Sequence, residues 1–171
     1  MNKKLIVTFF FLTLLVCSVY NYANAQASAT QGCLKISGEV TKELQLCLPD
    51  LAKMERASAT IKDKDGVNRT YKGVPVSAIL DMAGVTIGKQ LRGKNMAKYL
   101  LVSAADNYQV VFSLAELDSS FADRVVILAD EVDDKPLPAG MGPLRIIVPG
   151  EKKAARNIFQ VTSFVIRFAK E

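Results

Sequence analysis

Residues 68–84 read Asn-Arg-Thr-Tyr-Lys-Gly-Val-Pro-Val-Ser-Ala-Ile-Leu-Asp-Met-Ala-Gly, and within them the chain turns from strand into helix. Residues 68–72 predict a strand. Pro75 opens a helix, where its missing N–H costs nothing. Val76, Ile79, Leu80 and Ala83 then recur at helical spacing, and Gly84 supplies the C-terminal stop. The result is a one-sided helix that must lie on a sheet.

Working upstream, residues 57–62 predict a strand that pairs with 68–72 across Asp63-Lys64-Asp65-Gly66, a hairpin signal. Pro49 begins a short helix over 49–54. Residues 33–38 and 44–48 read as strands around a turn near Val40, which sets Cys33 opposite Cys47. The pair is read either as a disulfide or as two free buried thiols. Thiol redox work by these cysteines is a weaker idea, since neither has an activating neighbour.

Downstream, residues 89–98 carry Lys89, Arg92, Lys94 and Lys98 with no acid. They are read as a solvated loop, or as the rim of an anionic ligand site. Residues 99–104 and 108–112 form paired strands. Ser113-x-x-Glu116 is a capping box that starts a short helix. A buried strand covers 125–129, and the acid-rich 130–134 stretch is read as a solvated turn without the spacing of a calcium loop. Pro136, Pro138, Gly140, Gly142 and Pro143 stiffen a loop, and strands follow at 144–148 and 161–168.

Roughly eight short strands and three short helices predict a mixed α/β (α+β) domain with a β-rich core. Strands and helices do not alternate regularly, which argues against a doubly wound or barrel fold. There is no G-x-G-x-x-G, Walker A, G-x-S-x-G or C-x-x-C motif. The 171 residues hold no histidine, which excludes Ser-His-Asp and Cys-His catalysis and every histidine-ligated metal.

The N-terminus predicts a signal peptide over 1–25. Lys3 and Lys4 precede a stretch from Leu5 to Tyr20 in which 13 of 16 residues are apolar, and Ala23-Asn24-Ala25 offers a cleavage site. A retained membrane anchor is the competing reading, but the stretch is shorter than the roughly 20 residues a span needs. A lipid anchor at Cys17 ranks lower still. Residues 26–32 read as a loose leader and 33–171 as the domain. Export to the periplasm or the exterior is expected, with no membrane span after cleavage. Removing Lys3 and Lys4, with no acid lost, lowers the formal charge from +5 to +3. That excess, without interleaved basic and aromatic residues, does not suggest a nucleic-acid partner.

In order, these segments resemble the molybdopterin-binding domain of the sulfite oxidase family. Tyr71-Lys72-Gly73-Val74-Pro75-Val76 with Ile79-Leu80 and Ala83-Gly84 is similar to W-x-G-V-P-L…LL…AG. Ala105-Asp106-Asn107-Tyr108 is similar to A-D-G-Y, and Ile127-Leu128-Ala129 with Lys135-Pro136-Leu137-Pro138 to L-A…G-x-P-L-P. Gly142-Pro143-Leu144-Arg145-Ile146-Ile147-Val148-Pro149-Gly150 is similar to G-x-P-L-R-L-V-V-P-G, and Ala155-Arg156-Asn157-Ile158 to A-R-N-V. The likeness covers about residues 34–168. It implies the family's fold, a molybdopterin cofactor, oxygen-atom transfer at molybdenum and an electron-carrying partner.

The resemblance also places a molybdenum-ligating cysteine between the first short helix and the G-V-P-L segment. Residues 56–66 hold no sulfur there. The lysine expected after A-R-N-V is Phe159, the tryptophan is Gln160, and the pocket histidine has no counterpart. A thiolate is not replaced by lysine or aspartate without changing the metal's electronics. The expectation is therefore a non-catalytic relative that uses the pocket region for a small anionic ligand or a partner protein. The alternative is a molybdopterin-dependent oxidoreductase with an altered metal ligand. Arg145, Arg156 and Asn157 are the candidate contacts. Arg145 is otherwise read as a structural pair with an acid of 130–134, and Arg156, beside Lys152 and Lys153, as a phosphate contact or a solvated turn. The pocket is expected between residues 60–72, 103–108 and 140–157, either open and cationic or filled by Phe159 or Tyr71.

Overall fold

The computed structural model describes residues 32–169. The expected signal peptide over 1–25, Cys17 and most of the expected leader over 26–32 lie outside the described residues. Ten strands build two five-stranded sheets. The first has the order β2-β1-β10-β5-β6, from β1 (Cys33–Gly38), β2 (Leu44–Cys47), β5 (Lys98–Ala104), β6 (Gln109–Ser113) and β10 (Val161–Phe168). Only β1 and β10 run parallel in it, with Lys35 opposite Ser163. The second sheet has β3 (Ala57–Lys62), β4 (Asn68–Pro75), β7 (Ile127–Val132) and β8 (Lys135–Pro136) in that order, and β9 (Arg145–Ile147) also pairs with β7. Three short helices are α1 (Leu48–Leu51), α2 (Val76–Met82) and α3 (Leu114–Leu117).

The stretch from β4 into α2 folds as its spacing predicts. Val76, Ile79, Leu80 and Ala83 are buried, and Gly84 ends the helix at φ +69°. Gly73 sits at a bulge against β7, where a Cβ would meet the Leu128 carbonyl oxygen at 2.1 Å. Only glycine fits that approach. Ser113 and Glu116 form the reciprocal cap of α3, at 3.3 Å and 2.9 Å.

The first half of β7, residues 127–129, is buried on both faces, which fits its apolar run. Leu128 enters a large core with Leu34, Ile36, Phe112, Phe164 and α2. Ile127 and Ala129 point the other way, into a small cluster with Ala59, Ile61, Tyr71 and Ile147. This small cluster backs the candidate site.

Several expectations are corrected. The described residues form ten strands, not about eight, and α1 is shorter than the expected 49–54. The acidic 130–134 stretch is not one solvated turn. Asp130 and Glu131 belong to β7, and Asp130 takes an Arg56 hydrogen bond at 2.9 Å; only Asp133 and Asp134, at φ +49° and +58°, make the turn. The 89–98 stretch forms two 3-10 turns and then enters β5. Its Lys98 is buried, with Nζ 3.1 Å from the Thr86 hydroxyl and 4.8 Å from the Phe168 ring centre.

Cys33 and Cys47 face each other across β1 and β2 and form a disulfide, with Cα atoms 3.9 Å apart. The disulfide is thus the alternative realised. Closing a loop of this length stabilises the fold by about 3 kcal/mol on the chain-entropy model.

Candidate functional site

Asp63 follows β3 directly. Along that strand Ala59 and Ile61 are buried on one face, and the period of two carries Asp63 to the same side. A buried carboxylate needs a cation and hydrogen bonds. Arg145 supplies them from β9: its Nη2 donates to Asp63 Oδ1 at 2.9 Å. The Tyr71 hydroxyl donates to Asp63 Oδ2 and accepts from Arg145 Nη1. Arg69 adds a donor from the rim at 3.2 Å.

Arg145 is only 1% exposed, and its Nε has no acceptor among the described residues. Its guanidinium lies 4.6 Å from the Tyr71 ring centre and 4.3 Å from that of Phe159. The pocket expected here is thus filled, by both aromatic rings and by an internal ion pair. Burial works against ionisation of Asp63, but the bonds from Arg145 and Tyr71 and the Arg145 charge outweigh it and hold the carboxyl below its ordinary range. Burial, and then the bond to Asp63, pushes the Tyr71 hydroxyl up to about 12.

Arg145 does not pair with an acid of 130–134. It lies opposite Ala129 in the β7–β9 ladder, so Asp130, one residue on, points to the other face. Arg156 is not an open phosphate contact either. It binds Glu151 through Nε at 2.8 Å and Glu116 through Nη1 at 2.9 Å. Glu116 also holds Arg124, at 2.7 Å. These pairs tie the 150s loop to α3. Asn157 is 7% exposed and accepts the Val148 N–H on Oδ1 at 2.7 Å. Asn157 and Arg156 sit close in the chain, but neither joins the Asp63–Arg145 pair.

Two open grooves flank this filled centre. One, of about 560 Å³, is lined by Thr60 to Lys64, Val148, Gly150, Glu151, Lys152, Ala154 and Asn157. The other, of about 570 Å³, includes Lys64, Tyr108, Lys153, Asn157 and Phe159. They meet at Lys64, Ala154 and Asn157. Lys62, Lys64, Lys152 and Lys153 are exposed there. None of the cations of 89–98 lines either groove.

Sequence reasoning missed Asp63 as a site residue and read it only as part of a hairpin. Its signal was present: Ala59, Ile61 and Asp63 share a face, and an acid in an apolar register calls for a buried cation such as Arg145.

This two-sheet fold and its motifs define a molybdopterin-type oxidoreductase domain. The family model for the oxidoreductase molybdopterin binding domain matches residues 60–158, and the chain belongs to that family. Among solved structures, the sulfane dehydrogenase SoxCD from Paracoccus pantotrophus matches with a TM-score of 0.63 and 23% identity, over 80% of this chain and 38% of that one. The chain thus spans less than half the length of that relative. Comparison with curated proteins gave no match.

The residues present do not fit the family's metal cofactor. Between residues 56 and 66 the buried polar side chain is Asp63, whose oxygens already serve Arg145, Tyr71 and Arg69. The two cysteines among the described residues are joined at the β1–β2 hairpin, and neither lines a groove. No thiolate is available there as a soft ligand.

Proposed function

We propose that the domain is an exported, non-catalytic member of its family that binds an anionic ligand on the lysine-lined face around Asp63 and Asn157. One observation carries this reading: a carboxylate locked to Arg145 lies in the interval where the family resemblance puts a metal-binding thiolate. The exposed Lys62, Lys64, Lys152 and Lys153 support the ligand's sign. The disulfide, and the lack of a membrane-crossing helix among the described residues, are compatible with export.

Tripolyphosphate added to the isotopically labelled protein at low salt tests the anion site. The expected result is a saturable shift of the Lys62, Lys64 and Asn157 amide signals. Signals there that stay unmoved reject the site.

The second reading, an oxidoreductase with an altered metal ligand, is favoured by family membership and by the resemblance of the stretches around Arg145, Arg156 and Asn157 to family motifs. A full complement of molybdenum in the native protein would establish it instead.

A further inference from the structure

We infer that the open edge of β3 and the loop facing it form a strand-addition site for an extended acidic peptide of a partner protein. The inference rests on the anion-binding reading and names the ligand class.

Strand β3 ends its sheet and, among the described residues, pairs with β4 alone. The outer edge of such a strand presents backbone donors and acceptors to any chain laid alongside. The lining of the groove of about 560 Å³ shows how it meets that edge. Thr60, Ile61 and Lys62 line it in succession. Successive strand side chains point to opposite faces, so a groove that touches three in a row runs along the edge.

Charge selects the occupant. Asp63 is matched by Arg145 and Arg69, and Glu151 by Arg156 and Arg124. Among the described residues, the side chains of Lys62 and Lys152 carry no ion pair or hydrogen bond. The Lys64 ammonium lies 5.7 Å from the Phe159 ring centre and has no ion pair among the described residues. The groove is left with a surplus of positive charge. A second copy of this edge would bring the same lysine-lined groove with its surplus positive charge, so edge-to-edge self-pairing is opposed and an acidic strand is favoured.

Asn157 adds a fixed donor. Its Oδ1 is held by the Val148 N–H, which leaves the amide nitrogen without an acceptor among the described residues, in a side chain shared by both groove walls. The grooves join at Lys64 and continue to Lys153, with Asp106 the one acid lining the second groove, a track that suits an elongated ligand better than a compact ion.

The test titrates the full chain with three probes: an alternating glutamate–threonine peptide, the same peptide with alternate backbone amides N-methylated, and tripolyphosphate. The unmodified peptide should shift the amides of Thr60, Ile61 and Lys62 and slow their hydrogen exchange. Both N-methylation and the Lys62→Glu/Lys152→Glu variant should weaken it by about tenfold, the scale of a few exposed charge or hydrogen-bond contacts. Equal binding of the two peptides, or binding of tripolyphosphate alone, overturns strand addition and leaves the anion site standing. Binding of none of the three overturns both.

Discussion

Asp63 and Arg145 decide the character of the site, and each makes sense only with the other. Removing one partner of a buried ion pair leaves the other charged and unpaired. Asp63→Asn is therefore expected to lower unfolding stability in urea by about 3–5 kcal/mol, and Asp63→Leu with Arg145→Met to recover most of that loss. Tyr71→Phe removes a hydroxyl that bridges the pair and should cost about 1.5–3 kcal/mol, the range for hydrogen bonds to charged groups. The pH dependence follows from the same atoms. The Asp63 carboxyl is depressed on folding, so its contribution is present above its unfolded value of about 3.9 and is lost as pH falls through the folded one. Tyr71 is raised to about 12, so its contribution is full below about 10 and is lost as pH rises toward 12. Urea midpoints measured across pH should show both limbs, with the acid limb shrunken in Asp63→Asn and the alkaline limb in Tyr71→Phe.

The elements were unevenly legible. Strands β1, β3 and β10 match their expected bounds, because alternation and turn residues mark both ends. Helix α2 was readable from Pro75, its apolar spacing and Gly84. What failed had no local signal. The acids after Ala129 look solvated in isolation, yet β4 and Arg56, distant in sequence, draw Asp130 and Glu131 into a sheet. Residues 89–98 look uniformly exposed until the Phe168 ring on β10 covers Lys98. The cation lists were legible, but their partners were not: Arg156 lies 40 residues from Glu116, and Arg145 lies 82 from Asp63. At this scale the β1–β2 staple is expected to matter most. Replacing Cys33 and Cys47 by alanine should lower stability by about 3 kcal/mol, read from denaturant midpoints under oxidising conditions. Gly73→Ala should disturb the β4–β7 bulge, visible as loss of hydrogen-exchange protection in both strands, because Leu128 leaves no room for a Cβ.

Across the whole molecule, the family's architecture is retained while the chemistry at its centre differs. Two sheets, the α2 helix and the 142–158 motifs stand as family membership implies. Where a soft ligand is called for, the chain has an internal salt bridge capped by aromatic rings, and its free charge lies outside on the lysine face. Fold was legible because many weak motifs agree in order; the altered centre was legible as a missing cysteine, lysine and histidine, but the Asp63–Arg145 pair that fills it is made by tertiary contact. The direct measurement is the molybdenum and pterin content of the native protein, purified from a host that makes the cofactor, beside a cysteine-bearing family enzyme from the same cells. The account predicts that the control carries the metal while this protein carries only background levels. One molybdenum and one pterin per chain would contradict it.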